Sequence, residues 1–448
     1  MARTWEVSEG GRRYVFHLRD DLQWSDGVPV TAGDFEYAWK RRLDPVTARP
    51  NPSLLYDIKG ARAFHLGQVS DPGSVAVQAV DQITLVVELE EPAAYFVQLL
   101  GNLAFFPVPR HVVEVHGEAW TAMENLVTNG PFRLESWQPG ESMVLTRNPA
   151  YHGRSRGNIH RVEWSSPADP SGLLELYEAD SLDVCLHPSP TEMARVRQRH
   201  AGDYVSPPAA GTYYLGFSAS RPPFDDPRVR RAFVLATDRD RLADVVMRGS
   251  ASPARGGFIP PGLPGHLPGI GLPHDPDGAR RLLAKAGYPG GAGFPAVELL
   301  APLYLDPQVT YVQEQWWEVM KVESRWELID EWDRFAHRLS SEAPRLFLLG
   351  WMADYPDPDA FLRVCPFRGR TGWQNEAYDR LVAEARGLPD QRERMELYRQ
   401  AEQILVEEAP ILPLFYEPVH LLMKPWVKKY PISPTRPWFW KDVILEPH

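Results

Sequence analysis

At 448 residues the chain is too long for one compact core, so two or three domains are expected. Hydrophobic residues at 44% and charged residues at 24% are ordinary for a globular protein, and no run of about 18 apolar residues offers a membrane span. The formal net charge of −11 argues against nucleic acid or an anionic membrane as partner, because neutralising phosphates takes a concentrated basic face.

The opening MARTWEVSEGGRR has no apolar h-region, so no signal peptide is expected in the chain as written. Residues 13–27 begin with strand alternation and close in an Asp-Gly turn. Residues 30–45 read as a helix with Thr31 as N-cap, Asp34 three residues on, and Phe35, Ala38, Trp39 and Leu43 as its apolar stripe. A second strand at 82–92 is ended by Pro92. Residues 128–152 form two alternating runs around Gln138-Pro139-Gly140, a hairpin pattern, and a further strand follows at 159–166. Residues 172–187 read as a helix running into a short strand, and 211–220 as an apolar strand rich in aromatics.

In 224–247, Asp226 caps a helix and Pro227 takes its first position. The 44 prolines are concentrated in connections such as 252–276, which are stiff crossovers because proline fixes φ and lacks a donor. From about 275 helices and strands alternate (helices at 276–288, 306–320 and 332–342; strands at 296–301, 322–329 and 345–351), the signature of an α/β domain with a partly parallel sheet. An amphipathic helix at 391–408 leads to two closing strands. The fold class is α/β with mixed sheets.

No GxSxG, HExxH, GxxxxGK[ST] or strand–GxGxxG–helix motif is present. The two cysteines, Cys185 and Cys365, have no CxxC and no histidine at metal spacing, so neither a zinc centre nor a disulfide framework is expected. One long-range bridge and two buried free thiols remain alternatives. No cofactor is expected. The best site candidates are the aspartates of LGWMADYPDPDAF (349–361). They lie along one proline-punctuated turn, without the separation of a hydrolase pair or the glycine and distal glutamate of a calcium loop. Asp357, followed by Pro358, reads as an N-cap, and Asp359 as a first-turn acid favoured by the helix dipole. Asp354 comes off the C-terminal end of an apolar strand between Trp351 and Tyr355, where open α/β sheets gather ligands. It could pair with a ligand ammonium, or bond its own backbone as a turn residue.

These segments, WEVSEGGRRYVFHLRDDLQWSDGVPVTAGDFEYAWKRRLDP (5–45), TNGPFRLESWQPGESMVLTRNPAYH (128–152), 211–242, DPDGARRLLAKAGYP (275–289), LGWMADYPDP (349–358) and LLMKPWV (421–427), resemble in order the family 5 solute-binding proteins of ABC importers, in their oligopeptide-binding branch. The resemblance implies a two-lobed periplasmic-binding-protein type II fold, cluster C, with an extra domain. Its lobes close on an extended oligopeptide by hinge motion. It also implies ABC permease subunits as partners, a monomer, no nucleic acid, no catalysis, and a place in the periplasm or at the cell surface. The aspartate of its GW-x-A-D-Y motif falls on Asp354 and would receive the peptide's α-ammonium. Trp351 and Met352 would line a side-chain pocket with Tyr355 adjoining, Trp332 would be a further ligand tryptophan, and Tyr213 and Tyr416 would face the cleft. Core packing is the alternative for Trp332, Tyr213 and Tyr416.

Two departures qualify this. Leu348 stands where the peptide binders carry a base that can take a short peptide's carboxylate, which leaves a preference for peptide length open. The resemblance also starts inside the hinge domain, so the family's first strand is expected to be missing. The implied division is residues 1–125 as the extra domain, 126–217 with 421–448 as hinge lobe I, and 218–420 as lobe II. A cytoplasmic ligand-sensing module or a non-functional fragment is the alternative to import.

Overall fold

The computed structural model describes residues 1–47, 52–165, 172–189, 191–341, 344–435 and 440–447. The first sheet has the order β1-β2-β4-β3, from β1 (Ala2–Ser8), β2 (Arg13–Leu18), β3 (Val77–Ala79) and β4 (Thr84–Glu88). Tyr14, Phe16 and Leu18 of β2 point inward in strict alternation. They pack on the helix Ala32–Leu43, whose start is fixed as expected: the backbone N–H of Thr31 donates to Asp34 Oδ2 at 2.8 Å. β1 was not foreseen. Every residue in it is exposed, so it lacks the alternation by which a half-buried strand announces itself.

A hairpin and a third strand make the next sheet, β5 (Phe132–Gln138), β6 (Ser142–Arg147) and β7 (Arg161–Ser165). The last residue expected in β7, Ser166, lies outside the described residues. β8 (Val184–Leu186) and β9 (Tyr204–Val205) lead to the main sheet. This has six strands in the order β11-β15-β10-β14-β12-β13. They are β10 (Pro208–Phe217), β11 (Ser252–Pro253), β12 (Val297–Pro302), β13 (Ser324–Ile329), β14 (Leu346–Met352) and β15 (Ile411–Pro418). Then β16 (Leu421–Met423) returns between β8 and β9, and β17 (Val427–Lys429) pairs with β18 (Ile444–Leu445).

The boundary expected after residue 217 falls at the end of β10, which is hydrogen-bonded along its length to β14 and β15 inside the six-stranded sheet. Burial on both faces favours an unbroken apolar run in such a central strand. One face, with Leu348 and Leu346, meets a core under the helices Pro227–Ala236, Pro276–Lys285 and Asp306–Met320. The other, with Phe347 and Leu349, shares a core with Tyr14, Phe16, Trp39 and Phe96 of the N-terminal part. Leu348 is therefore turned into the helix-side core.

Two chain segments cross side by side from the six-stranded sheet to the β8-β16-β9 sheet, one between β9 and β10 and one between β15 and β16. The register slips where they leave the large sheet, at Pro208 opposite Pro418. Beyond it, the N–H of Val419 donates to the carbonyl of Pro207 at 2.9 Å. Both cysteines are free and buried, which decides the question the sequence left open.

The proline-rich crossover is pinned by a buried acid. Glu402, on the helix Gln391–Glu408, accepts the N–H groups of Phe258 (2.8 Å) and Ile259 (2.9 Å) through one carboxylate oxygen. Gly257 is obligatory beside it: its φ is +80°, and a Cβ there would come within 2.5 Å of that oxygen. Burial pushes the Glu402 carboxyl from an ordinary 4.5 up to about 8. A carboxyl whose pKa is raised by folding contributes stability fully below its unfolded pKa, and loses it as pH rises toward the folded one. Glu402→Gln keeps an acceptor and cannot ionise. Its urea midpoint should match the parent's near pH 4 and exceed it increasingly up to pH 9. Parallel pH profiles for the two proteins would show that the carboxyl titrates normally.

Candidate ligand-binding site

The parallel strands β12, β13 and β14 end on the same side of the six-stranded sheet, and β15, antiparallel to β10, ends there too. Crevices at such carboxyl ends collect ligands because loops there diverge around them. Tyr304 follows β12, Trp332 follows β13, and Asp354 follows β14.

Pairing with β10 positions the last turn of chain before Asp354. Trp351 lies opposite Thr212 and Met352 opposite Gly211, and the N–H of Ala353 still donates to Ala210 at 2.8 Å. A Cβ on Gly211 would overlap the Met352 sulfur, so the glycine makes room for that side chain. Asp354 is the first residue free of the sheet. Its backbone carbonyl accepts from Asn102 Nδ2 at 3.0 Å. Its carboxylate has no hydrogen bond or ion pair to any described residue, and burial raises its pKa above the usual carboxylate value. A half-buried carboxylate without a partner is unfavourable unless a cation comes to it.

The other predicted residues divide by face. Trp351 is half-buried, and its indole N–H donates to the carbonyl of Ala360 at 2.8 Å. Trp332 is 56% exposed at the start of the helix Trp332–Ser341, leaning on Phe335. Tyr213 stacks on Phe415 at 4.7 Å, and its hydroxyl bonds with Glu417 and Tyr304. Burial, then these neighbours, hold its pKa well above that of an ordinary phenol. Tyr355 is 1% exposed, stacks on Tyr95, and donates to Asp359 at 2.5 Å. Tyr416 is 5% exposed and donates to the carbonyl of Gly257 at 2.9 Å. Both tyrosines lie near the strand ends but are interior residues whose hydroxyls are committed within the protein. Sequence reasoning missed Tyr304, Glu417 and Asn102, none of which stands in a motif.

Asp357 and Asp359 do start a short helical turn, the N–H of Asp359 donating to Asp357 Oδ1 at 3.1 Å. They also do more than cap. Asp357 pairs with Arg394 at 3.0 Å and Asp359 with Arg363 at 2.6 Å, both aspartates fully buried.

A mostly apolar cavity of about 740 Å³ lies on the flank of Asn102, lined by Trp5, Phe16, Trp39, Leu103 and Phe106. None of the predicted residues borders it. Size and chemistry point to different places here, and the unpaired carboxylate is the stronger pointer, because a charge demands a partner and an apolar hollow does not.

The mixed sheets joined by paired crossings are those of the two-lobed periplasmic-binding-protein type II fold. The sequence profile described as bacterial extracellular solute-binding proteins, family 5 middle, matches residues 1–373, and the chain belongs to this family. It is 32% identical over 445 residues to the periplasmic oligopeptide-binding protein OppA of Escherichia coli K12, covering 96% of this chain and 81% of that one. It is also 32% identical over 465 residues to the probable deoxycholate-binding periplasmic protein YgiS of the same strain, covering 100% and 85%. Among solved structures, the murein tripeptide-binding protein MppA of E. coli superposes with a TM-score of 0.83 at 30% identity, covering 100% of this chain and 89% of that one.

Proposed function

We propose that this protein is the peptide-capturing component of an ABC importer, holding an extended oligopeptide between its lobes with the peptide's amino terminus at Asp354. The observation that carries this is the half-buried Asp354 carboxylate, unpaired among the described residues at the strand ends. An α-ammonium supplies the missing cation, and a charge-assisted bond shielded from water fixes the register of the whole ligand. Trp351, Met352, Trp332 and Tyr213 are the side chains we expect around it, with bonds to the peptide main chain giving affinity independent of sequence. Partners are then the permease subunits of the importer, the site of action is the periplasm or cell surface, and the role is binding without catalysis or cofactor, as a monomer.

A second reading comes from the relative named for deoxycholate, a steroid carboxylate. The unpaired carboxylate disfavours it, since like charges would be brought together in a poorly solvated place. Titration calorimetry with trialanine, N-acetyl-trialanine and deoxycholate separates the two. Binding of trialanine alone is expected. Equal heats for the free and acetylated peptides would remove Asp354 from the site, and binding of deoxycholate alone would replace the peptide reading.

A further inference from the structure

The segment from Ala93 to Phe105 belongs to the N-terminal part of the chain, yet it grips the turn that carries Asp354. Asn102 faces two ways. Its Oδ1 accepts the N–H of Ala104 at 2.9 Å, and its Nδ2 donates to the Asp354 carbonyl at 3.0 Å, across 252 positions of sequence. Only this orientation of the amide satisfies both neighbours, since the reverse would oppose two donors and two acceptors. Seven residues earlier Tyr95 is fully buried and stacks on Tyr355 with centroids 5.0 Å apart. Its hydroxyl donates to Asp57 at 2.7 Å and accepts from Arg363 at 2.5 Å. Arg363 in turn pairs with Asp359 at 2.6 Å, and Arg386 with Asp57 at 2.7 Å.

The turn is thus held at Asp354 by Asn102 and at Tyr355 and Asp359 by Tyr95 and Arg363. These contacts use the backbone of Asp354 and leave its carboxylate untouched. We propose that the N-terminal domain is the positioning element of the ligand site, and that Asn102 is the residue that sets the Asp354 carboxylate where a peptide ammonium meets it. This rests on reading Asp354 as the receiver of that ammonium. A turn at the end of a sheet has few bonds of its own, and an anchored carbonyl limits the arc its side chain can sweep. A displacement of the order of 1 Å is enough to spoil a short charged hydrogen bond.

Asn102→Asp and Asn102→Ser both keep an oxygen for the Ala104 N–H, while the ionised aspartate has no hydrogen to donate and the serine hydroxyl, one bond shorter than the amide, stops short of the Asp354 carbonyl. Melting temperature and calorimetry with trialanine and N-acetyl-trialanine are the measurements. Both variants are expected to melt near the parent temperature, to bind trialanine about 10-fold more weakly, and to narrow the gap between free and acetylated peptide. That ratio is the readout a purely structural role leaves unmoved. A serine variant that folds and keeps the parent's ratio overturns the proposal. So does a serine variant that fails to fold, which would make Asn102 a residue the fold itself requires. If the parent does not distinguish the two peptides, the reading of Asp354 fails instead.

Discussion

Replacing Asp354 with asparagine should weaken trialanine binding by about 2–5 kcal/mol, because the peptide ammonium would be buried without its counter-charge. A change below about 0.5 kcal/mol is the size of an ordinary surface substitution, and would mean that the carboxylate only shapes its turn. The pH dependence provides a second measurement on the same variant. Burial raises the Asp354 pKa, so parent affinity should fall as acid protonates it, at a higher pH than for an ordinary aspartate. The alkaline limb belongs to the peptide, whose α-amine loses its proton near pH 8, about 7.7–8.0 in model peptides. Asp354→Asn should abolish the acid limb and leave the alkaline one. The unliganded protein should respond in the opposite sense. A carboxyl with a raised folded pKa lowers stability as pH climbs past it, so Asp354→Asn should melt at a higher temperature than the parent near neutrality and gain nothing in acid. Higher stability with lost binding is the mark of a group kept for function.

The second large effect concerns stability. Arg394 and Asp357 form a pair at 3.0 Å with 2% and 1% of their side chains exposed, and the guanidinium also donates to the Ala385 carbonyl at 3.1 Å. Arg394→Ala strands a carboxylate in the interior and should cost about 3–5 kcal/mol by urea denaturation. Burial already raises the Asp357 pKa, with Arg394 opposing it. Without the arginine the carboxyl should be driven further up, so the variant should regain stability in acid and lose it as pH rises. The double variant Arg394→Met with Asp357→Leu should recover most of the loss, since a buried pair is worth little more than apolar residues of similar volume. Failure of the double variant to recover would show that the pair specifies a packing that apolar side chains cannot reproduce.

Local chemistry made much of this legible in the sequence. A capping box, an Asp-Pro helix start and period-two strands depend on neighbours a few residues apart, and the structure has them at Thr31, Asp226 and β2. Asp354 was legible as a candidate because its strand is apolar and its position terminal. The fates of Asp357 and Asp359 were half legible: the turn is local, but Arg394 lies 37 residues away. Tyr416 shows a different limit. Alternation says that it and Tyr213 occupy opposite faces of paired strands, and the register confirms this by placing Tyr213 against Phe415 and Thr212 against Tyr416. In a sheet buried on both sides, alternation does not say which face is which. Asn102 sits in an irregular run whose importance arises only from what folds against it.

The paired crossings at Pro207 and Pro208 and at Pro418 have a kinetic consequence. A proline offers no amide hydrogen to a neighbouring strand, so this part of the chain has few cross-strand bonds to surrender when it flexes. On the reading proposed above, such a joint would be a pivot with little spring in it. The time a ligand stays enclosed is then governed by the bonds it makes at the strand ends, and dissociation rates should vary with the ligand far more than with any change made at the joint itself.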